Sequence, residues 1–180
     1  MSYPSGLCYN STPFLKRLRW TGQEVIEESL KTHCKVINEQ GKQLEIKIYY
    51  EDTDCGGVVY YANYLKYFER ARTEYLEMRG HSVAALMEQG VIFVVVRAEV
   101  DYCSPGRYGD TLVIETAVGD VTRAALTFSH VIREKVSGRV VVKGSARLAA
   151  TDGNGKVKRL DKVIIAAIQS EPHTVERPHP

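Results

Sequence analysis

Three carboxylates within four residues are the feature of this sequence best suited to chemistry. Glu51, Asp52 and Asp54 precede the pair Gly56-Gly57, and a segment with helical periodicity begins a few residues later. Unpaired N–H groups at a helix N-terminus stabilise an anion or a developing oxyanion, and glycines let a ligand approach the backbone closely. A carboxylate beside such donors can act as a general base or as a nucleophile. These residue types therefore fit the hydrolysis of an activated acyl group.

A structural explanation of the same residues also stands. Acidic side chains near a helix start are common N-caps, and paired glycines are common in turns. Spacing alone does not decide between a cap and a site, nor does it separate Asp54 from Asp52. Cys55 is a further candidate nucleophile, because thiolates are activated near helix N-termini, although the neighbouring aspartates disfavour a thiolate.

Hydrophobic periodicity predicts the elements on either side of the acidic segment. From Leu44 to Ile48, apolar and charged residues alternate with the period of two that is typical of a half-buried strand. From about Tyr60, apolar residues recur at steps of three and four, which predicts an amphipathic helix of about 19 residues. Gly80 is its natural C-cap, and a second short helix is predicted over residues 82–89.

The helix also carries acids that could compete with the loop for a catalytic role. Glu69 and Glu74 lie among the polar positions of its periodic pattern. The simpler interpretation of Glu69 is an ion pair with Arg70, Arg72 or a neighbouring subunit.

The part of the chain after Gly90 is rich in strand patterns. Strands are predicted over 91–102, 111–118, 124–134 and 139–150, and a last strand or short helix over 163–168. Their short links favour antiparallel pairing, because parallel strands need long crossovers. The long helix can hide its apolar stripe only against this sheet. The fold class is therefore α+β, with an antiparallel sheet packed on, or wrapped around, one central helix.

Composition restricts the kind of protein. The 180 residues are 44% hydrophobic and 26% charged, as in soluble globular domains, and we divide them into a leader (1–42, partly helical over 22–33), a domain (43–169) and a tail (170–180). The net charge of +2, without clustered Lys and Arg, argues against nucleic acid as a partner. The four cysteines have no metal-ligand spacing, so we predict no metal site. Without a secretory signal or a long apolar run, we expect a cytoplasmic protein.

Several segments resemble those of a known family. Residues 50–64 read YEDTDCGGVVYYANY, and residues 68–74 read FERARTE. This stretch closely resembles the signature of the 4-hydroxybenzoyl-CoA thioesterase family, and above all its YbgC-like, Tol-Pal-associated branch. Two later segments, 93–97 (FVVVR) and 102–110 (YCSPGRYGD), are also similar to the family. The resemblance covers about residues 44–165.

The resemblance implies both a fold and an activity. The fold is the hotdog fold, in which an antiparallel sheet of about five to six strands wraps one long central helix. The substrates are acyl-CoA thioesters, with no cofactor other than the coenzyme A of the substrate itself. Sites form where two subunits meet, so a homodimer or homotetramer is expected, along with peripheral association with a membrane or envelope machinery. The alternative is a non-catalytic hotdog module that binds acyl-CoA or an envelope-associated protein.

The resemblance also implies roles for individual residues. It assigns catalysis to Asp54 and oxyanion stabilisation to the backbone N–H of Tyr61, and it leaves Asp52 to cap or orient the loop. The YbgC-like branch often has His at position 61, so a side-chain contribution is lost here while the backbone role survives. Further substrate-binding residues are expected at six positions: Gly56, Gly57, Val58, Asn63, Arg97 and Arg147. Basic residues should surround the phosphates of coenzyme A, and the candidates are Arg97, Arg107, Arg123, Lys143 and Arg147.

Overall fold

The computed structural model describes residues 43–170. Within this range lie β1 (Leu44–Lys47), α1 (Asn63–Glu77), α2 (Val83–Glu88), β2 (Ile92–Tyr102), β3 (Thr111–Val121), β4 (Ala125–Glu134), β5 (Val140–Thr151) and α3 (Lys162–Gln169). One turn of 3-10 helix, Tyr50–Asp52, follows β1. The predicted leader helix and the tail beyond residue 170 lie outside the described residues. The boundaries of the predicted leader, domain and tail stay predictions.

The strands form one antiparallel sheet with α1 packed on one of its faces. The strand order is β1-β3-β4-β5-β2, and every neighbouring pair in it is antiparallel. Tyr64, Tyr67, Phe68 and Ala71 of α1 share a buried cluster with residues of β1, β3, β4 and β5. The predicted α+β class and hotdog architecture are confirmed, with five strands.

The central helix is shorter than predicted. It begins at Asn63 rather than near Tyr60, and its 15 residues span about 22 Å. The reason is that the backbone N–H of Tyr60 donates to the carbonyl of Asp52 at 2.9 Å, which ties this residue to the preceding loop. The N–H of Asn63 then donates to the carbonyl of Tyr60 at 2.9 Å, so a tight turn precedes the helix. Leu65, which the spacing of three and four residues places in the apolar stripe of the helix, is 42% exposed.

The last element is a helix, which decides between the two alternatives that the sequence left open. Ile164 and Ile168 of α3 are buried in the same cluster as Tyr75 and Leu76 from the end of α1. The Tyr75 hydroxyl donates to the carbonyl of Ile168 at 3.1 Å. The two helices are therefore joined by both apolar packing and a buried hydrogen bond.

A histidine lies in the core under the central helix. His130 of β4 is 1% exposed, and its ring stacks on Phe68 with centroids 4.4 Å apart and planes at 10°. Its Nδ1 lies 3.0 Å from the Thr116 hydroxyl, while Nε2 has no hydrogen-bond partner among residues 43–170. Burial, and secondarily the positive charge of Arg72, lowers the pKa of His130 to about 3. The ring is therefore neutral in the folded protein.

His130 should make the stability of the fold depend on pH. An unfolded chain protonates this histidine below about pH 6.5, whereas the folded chain does not until about pH 3. The contribution of His130 to the free energy of unfolding is therefore fully present above about pH 6.5, and it is lost as the pH decreases towards 3. Between pH 7 and pH 5 we expect His130 to account for about 2 kcal/mol of lost unfolding free energy. Urea unfolding of the wild type and of His130→Phe at pH 7 and pH 5 measures this loss. An equal loss of unfolding free energy in the two proteins would contradict the prediction.

Candidate active site

Asp54 opens a tight turn that its own side chain helps to shape. Its backbone N–H donates to the carbonyl of Val58 at 2.9 Å, and the N–H of Gly57 donates back to the carbonyl of Asp54 at 3.0 Å. Gly57 has φ 73°, a left-handed conformation that favours glycine. The N–H of Gly56 donates to Oδ1 of Asp54 at 2.8 Å, and a Cβ on Gly56 would lie only 3.1 Å from that oxygen. The two glycines thus set both the turn and the orientation of the carboxylate.

The Asp54 carboxylate keeps one oxygen available for chemistry. The residue is exposed, and Oδ2 has no hydrogen-bond or ion-pair partner among the residues that the structure describes. One oxygen therefore orients the group while the other can face a water molecule or a carbonyl carbon. A general base or nucleophile needs this combination of a fixed direction and an open lone pair.

Unengaged backbone donors lie in the turn before α1. Neither the N–H of Tyr61 nor that of Ala62 has an acceptor within the described part of the chain. The carbonyl of Tyr61 is held by the Tyr102 hydroxyl, which donates to it at 3.2 Å. Tyr61 thus lies at the end of the loop, just before the helix rather than inside it. Its peptide N–H is open to a ligand oxygen, as an oxyanion donor requires.

Asp52 is engaged on every side, unlike Asp54. Its Oδ2 accepts from the N–H of Tyr49 at 2.9 Å, and its Oδ1 accepts from the Tyr67 hydroxyl at 3.0 Å. Its backbone carbonyl accepts from the Asn63 side-chain amide and from the N–H of Tyr60, both at 2.9 Å. These bonds tie the end of β1, the loop and the first two turns of α1 to a single residue.

Tyr67 is the residue of this network that sequence reasoning missed. Burial, together with the hydrogen bond to Asp52, raises the pKa of its hydroxyl above the ordinary value for tyrosine. The spacing contained a usable signal, because Asn63 and Tyr67 are four residues apart and so share one face of a helix. That both contact Asp52 depends on the path of the loop, which periodicity does not reveal.

A second loop, residues 103–110, supports the Asp54 turn from the side. The N–H of Val59 donates to the carbonyl of Gly106 at 2.9 Å, and Val58 forms a β-bridge with Arg107. A Cβ on Gly106 would lie 3.0 Å from the Tyr64 hydroxyl, so only glycine allows this close contact without a shift. The family-like segment 102–110 therefore lies directly against the candidate site.

The predicted substrate-binding residues divide into three sets: the residues of the Asp54 turn, Asn63, and the two arginines. Gly56, Gly57 and Val58 all lie in the Asp54 turn. Asn63 is only 8% exposed, and its side-chain amide donates to the carbonyl of Asp52, so the structure shows it holding the loop. Its substrate contact stays a prediction.

The two predicted arginines are not brought to the Asp54 turn. Arg97 and Arg147 are cross-strand neighbours on β2 and β5. Arg147 lies between Ala146 and Leu148, whose buried side chains face α1, so the arginines lie on the opposite face of the sheet. Tyr102 marks the end of β2 that contacts the site, because its hydroxyl binds the carbonyl of Tyr61. Arg97 is about 17 Å along β2 from Tyr102, at about 3.4 Å per residue. A role for them in binding substrate stays a prediction.

Glu69 and Cys55, the residues that could compete with Asp54 for a catalytic role, make few contacts with other side chains. The Cys55 thiol is exposed. The Glu69 carboxylate accepts from the Thr73 hydroxyl at 3.0 Å and belongs to none of the ion pairs among residues 43–170. Glu69 therefore forms no close ion pair with Arg70 or Arg72 among these residues, although its charge is near enough to Arg72 to raise the pKa of that guanidinium against the larger lowering by burial. Pairing of Glu69 with a neighbouring subunit stays a prediction.

Residues 43–170 offer neither a candidate membrane span nor a candidate metal site. No helix in this range combines the length and apolar character needed to cross a membrane. No group of three or more His, Cys, Asp or Glu residues is arranged there to hold a metal ion.

Comparison with known proteins supplies the family. The thioesterase superfamily model matches residues 56–141. The acyl-CoA thioesterase YbgC of Haemophilus influenzae is 39% identical over 121 residues, which are 67% of this chain and 87% of the relative. The acyl-CoA thioester hydrolase YbgC of Escherichia coli O6:H1 is 45% identical over 85 residues, which are 47% of this chain and 63% of the relative.

A solved structure agrees with these sequence matches. The DHNA-CoA thioesterase of Staphylococcus aureus superimposes with a TM-score of 0.66 at 28% identity, covering 71% of this chain and 90% of that one. The match to the YbgC protein of Haemophilus influenzae spans most of that relative. This chain belongs to the thioesterase superfamily.

Proposed function

We propose that this protein hydrolyses acyl-CoA thioesters to a free acid and coenzyme A. The observation that carries the proposal is the Asp54 turn, in which Gly56 holds one carboxylate oxygen and leaves the other open. The unengaged N–H of Tyr61 follows a few residues later in the same loop. The relatives named acyl-CoA thioesterase supply the substrate class.

The proposed chemistry places the two groups on either side of one carbonyl. The thioester oxygen accepts from the N–H of Tyr61, which stabilises the negative charge that develops there. The Asp54 carboxylate takes a proton from water, and the hydroxide attacks the carbonyl carbon. Collapse of the tetrahedral intermediate breaks the C–S bond, and the proton passes to the departing thiolate. In the other route, Asp54 attacks the carbon itself and the C–S bond breaks, which releases the thiolate and leaves an anhydride. Water then hydrolyses the anhydride to the free acid, which regenerates the Asp54 carboxylate, and the proton released passes to the thiolate.

No cofactor is needed for either route, since coenzyme A arrives as part of the substrate. Its phosphates call for basic groups near the mouth of the site. Among the basic candidates, Arg107 has the strongest support, because its backbone bridges to Val58 beside the Asp54 turn. Arg97 and Arg147 remain candidates only for a site that uses the other face of the sheet.

We also propose that the protein is a homodimer or homotetramer. β2 forms one edge of the sheet, and Val94, Val95 and Val96 on it are 44%, 47% and 58% exposed. An edge strand with exposed apolar residues and unpaired backbone groups is suited to pairing with a second copy. We further propose a cytoplasmic location and peripheral contact with envelope machinery, which only the family resemblance supports.

A panel of acyl-CoAs tests the proposed function. Short aliphatic, long aliphatic and aromatic acyl-CoAs are incubated with the protein, and released thiol is detected with a chromogenic reagent. We expect turnover of at least one class well above the uncatalysed rate, with the ranking of kcat/KM giving the acyl preference. Coenzyme A binding by calorimetry without any hydrolysis would instead favour the non-catalytic module.

A further inference from the structure

We propose that Tyr67 is a positioning residue, whose hydroxyl holds Asp52 and thereby fixes Asp54 relative to the N–H of Tyr61. The inference rests on the proposed function, because it concerns the geometry of that site. Tyr67 lies in the second turn of α1, is 1% exposed, and donates to Oδ1 of Asp52 at 3.0 Å. It does not touch the reacting atoms, so its effect would pass through Asp52.

Asp52 is connected to both halves of the site. Towards Asp54 the connection is covalent, because only Thr53 separates the two residues in the chain. Towards the oxyanion donor it runs through Tyr60, whose N–H donates to the carbonyl of Asp52 at 2.9 Å directly before Tyr61. A shift of Asp52 would therefore change the distance between the Asp54 carboxylate and the N–H of Tyr61.

The helix is the rigid reference for this connection. The Tyr67 ring packs edge-to-face on Tyr64, with centroids 5.8 Å apart and planes at 84°, inside the main buried cluster. The hydroxyl thus projects from a fixed ring towards a loop that is only partly buried. Misplacing a catalytic group by about 1 Å can cost about 10²-fold in rate, so one such bond can matter greatly for kcat.

Tyr67→Phe tests the hydroxyl apart from the packing of the ring. We expect kcat to fall about tenfold with KM within about twofold, because substrate binding is kept while the reacting groups lose their alignment. The matched control is Tyr75→Phe, which removes another buried hydroxyl of α1, one that donates to the carbonyl of Ile168. That variant should lose thermal stability but keep kcat at temperatures below its unfolding transition.

A double variant tests whether Tyr67 acts through Asp52. Asp52→Ala removes the acceptor, so adding Tyr67→Phe to it should slow the enzyme no further. Additive losses would overturn the inference, as would an unchanged kcat in Tyr67→Phe or an equal loss in Tyr75→Phe. Asp54→Asn separates this failure from failure of the proposed function. If that variant stays active, the catalytic assignment is wrong; if it is inactive while Tyr67→Phe is normal, only the positioning role is wrong.

Discussion

Asp54→Asn should lower kcat towards an acyl-CoA by about 10³-fold while leaving the melting temperature nearly unchanged. The amide cannot accept a proton or attack a carbonyl, so either route through Asp54 is lost. The fold should tolerate the change because asparagine keeps an Oδ1 that can accept the N–H of Gly56, the bond that shapes the turn. Steady-state kinetics on the best substrate of the panel, with a thermal melt of the same preparation, measures both quantities.

Cys55→Ala is the matched control for this prediction. The residue is the next one in the same turn, and its exposed thiol is the candidate nucleophile that competes with Asp54. If Asp54 is the catalytic group, kcat should stay within about twofold of the wild-type value in Cys55→Ala. Loss of turnover in Cys55→Ala together with an active Asp54→Asn would transfer the reaction to the thiolate.

The elements of this fold could be predicted because their patterns are local. Alternation in Leu44–Lys47 and the three-and-four spacing of α1 each reflect burial of one face, and the structure buries those faces. The helix start could not be predicted in this way. It depends on a hydrogen bond from Tyr60 to Asp52, two residues whose contact is set by the loop and not by periodicity.

The candidate site was predictable to a smaller degree. Residue types indicated an acidic loop before a helix, but only tertiary contacts distinguish Asp52, with both carboxylate oxygens bonded, from Asp54, with one oxygen open. The sequence does contain a signal for the position of Arg97. The apolar alternation of Ala98, Val100 and Tyr102 already placed Arg97 on the other side of β2.

Phe68→Ala should lower the free energy of unfolding by about 3–5 kcal/mol, the range for removing a large buried aromatic side chain. Phe68 is fully buried, stacks on His130 and fills the space above Gly144, where an added Cβ would lie 2.6 Å from its ring. Gly144 has no side chain that could fill the vacated volume, so we expect the cavity to persist. Leu65→Ala on the exposed side of α1 is the control and should cost less than about 1 kcal/mol. Urea unfolding monitored by circular dichroism compares them, and similar losses would mean that the helix is not held to the sheet through Phe68.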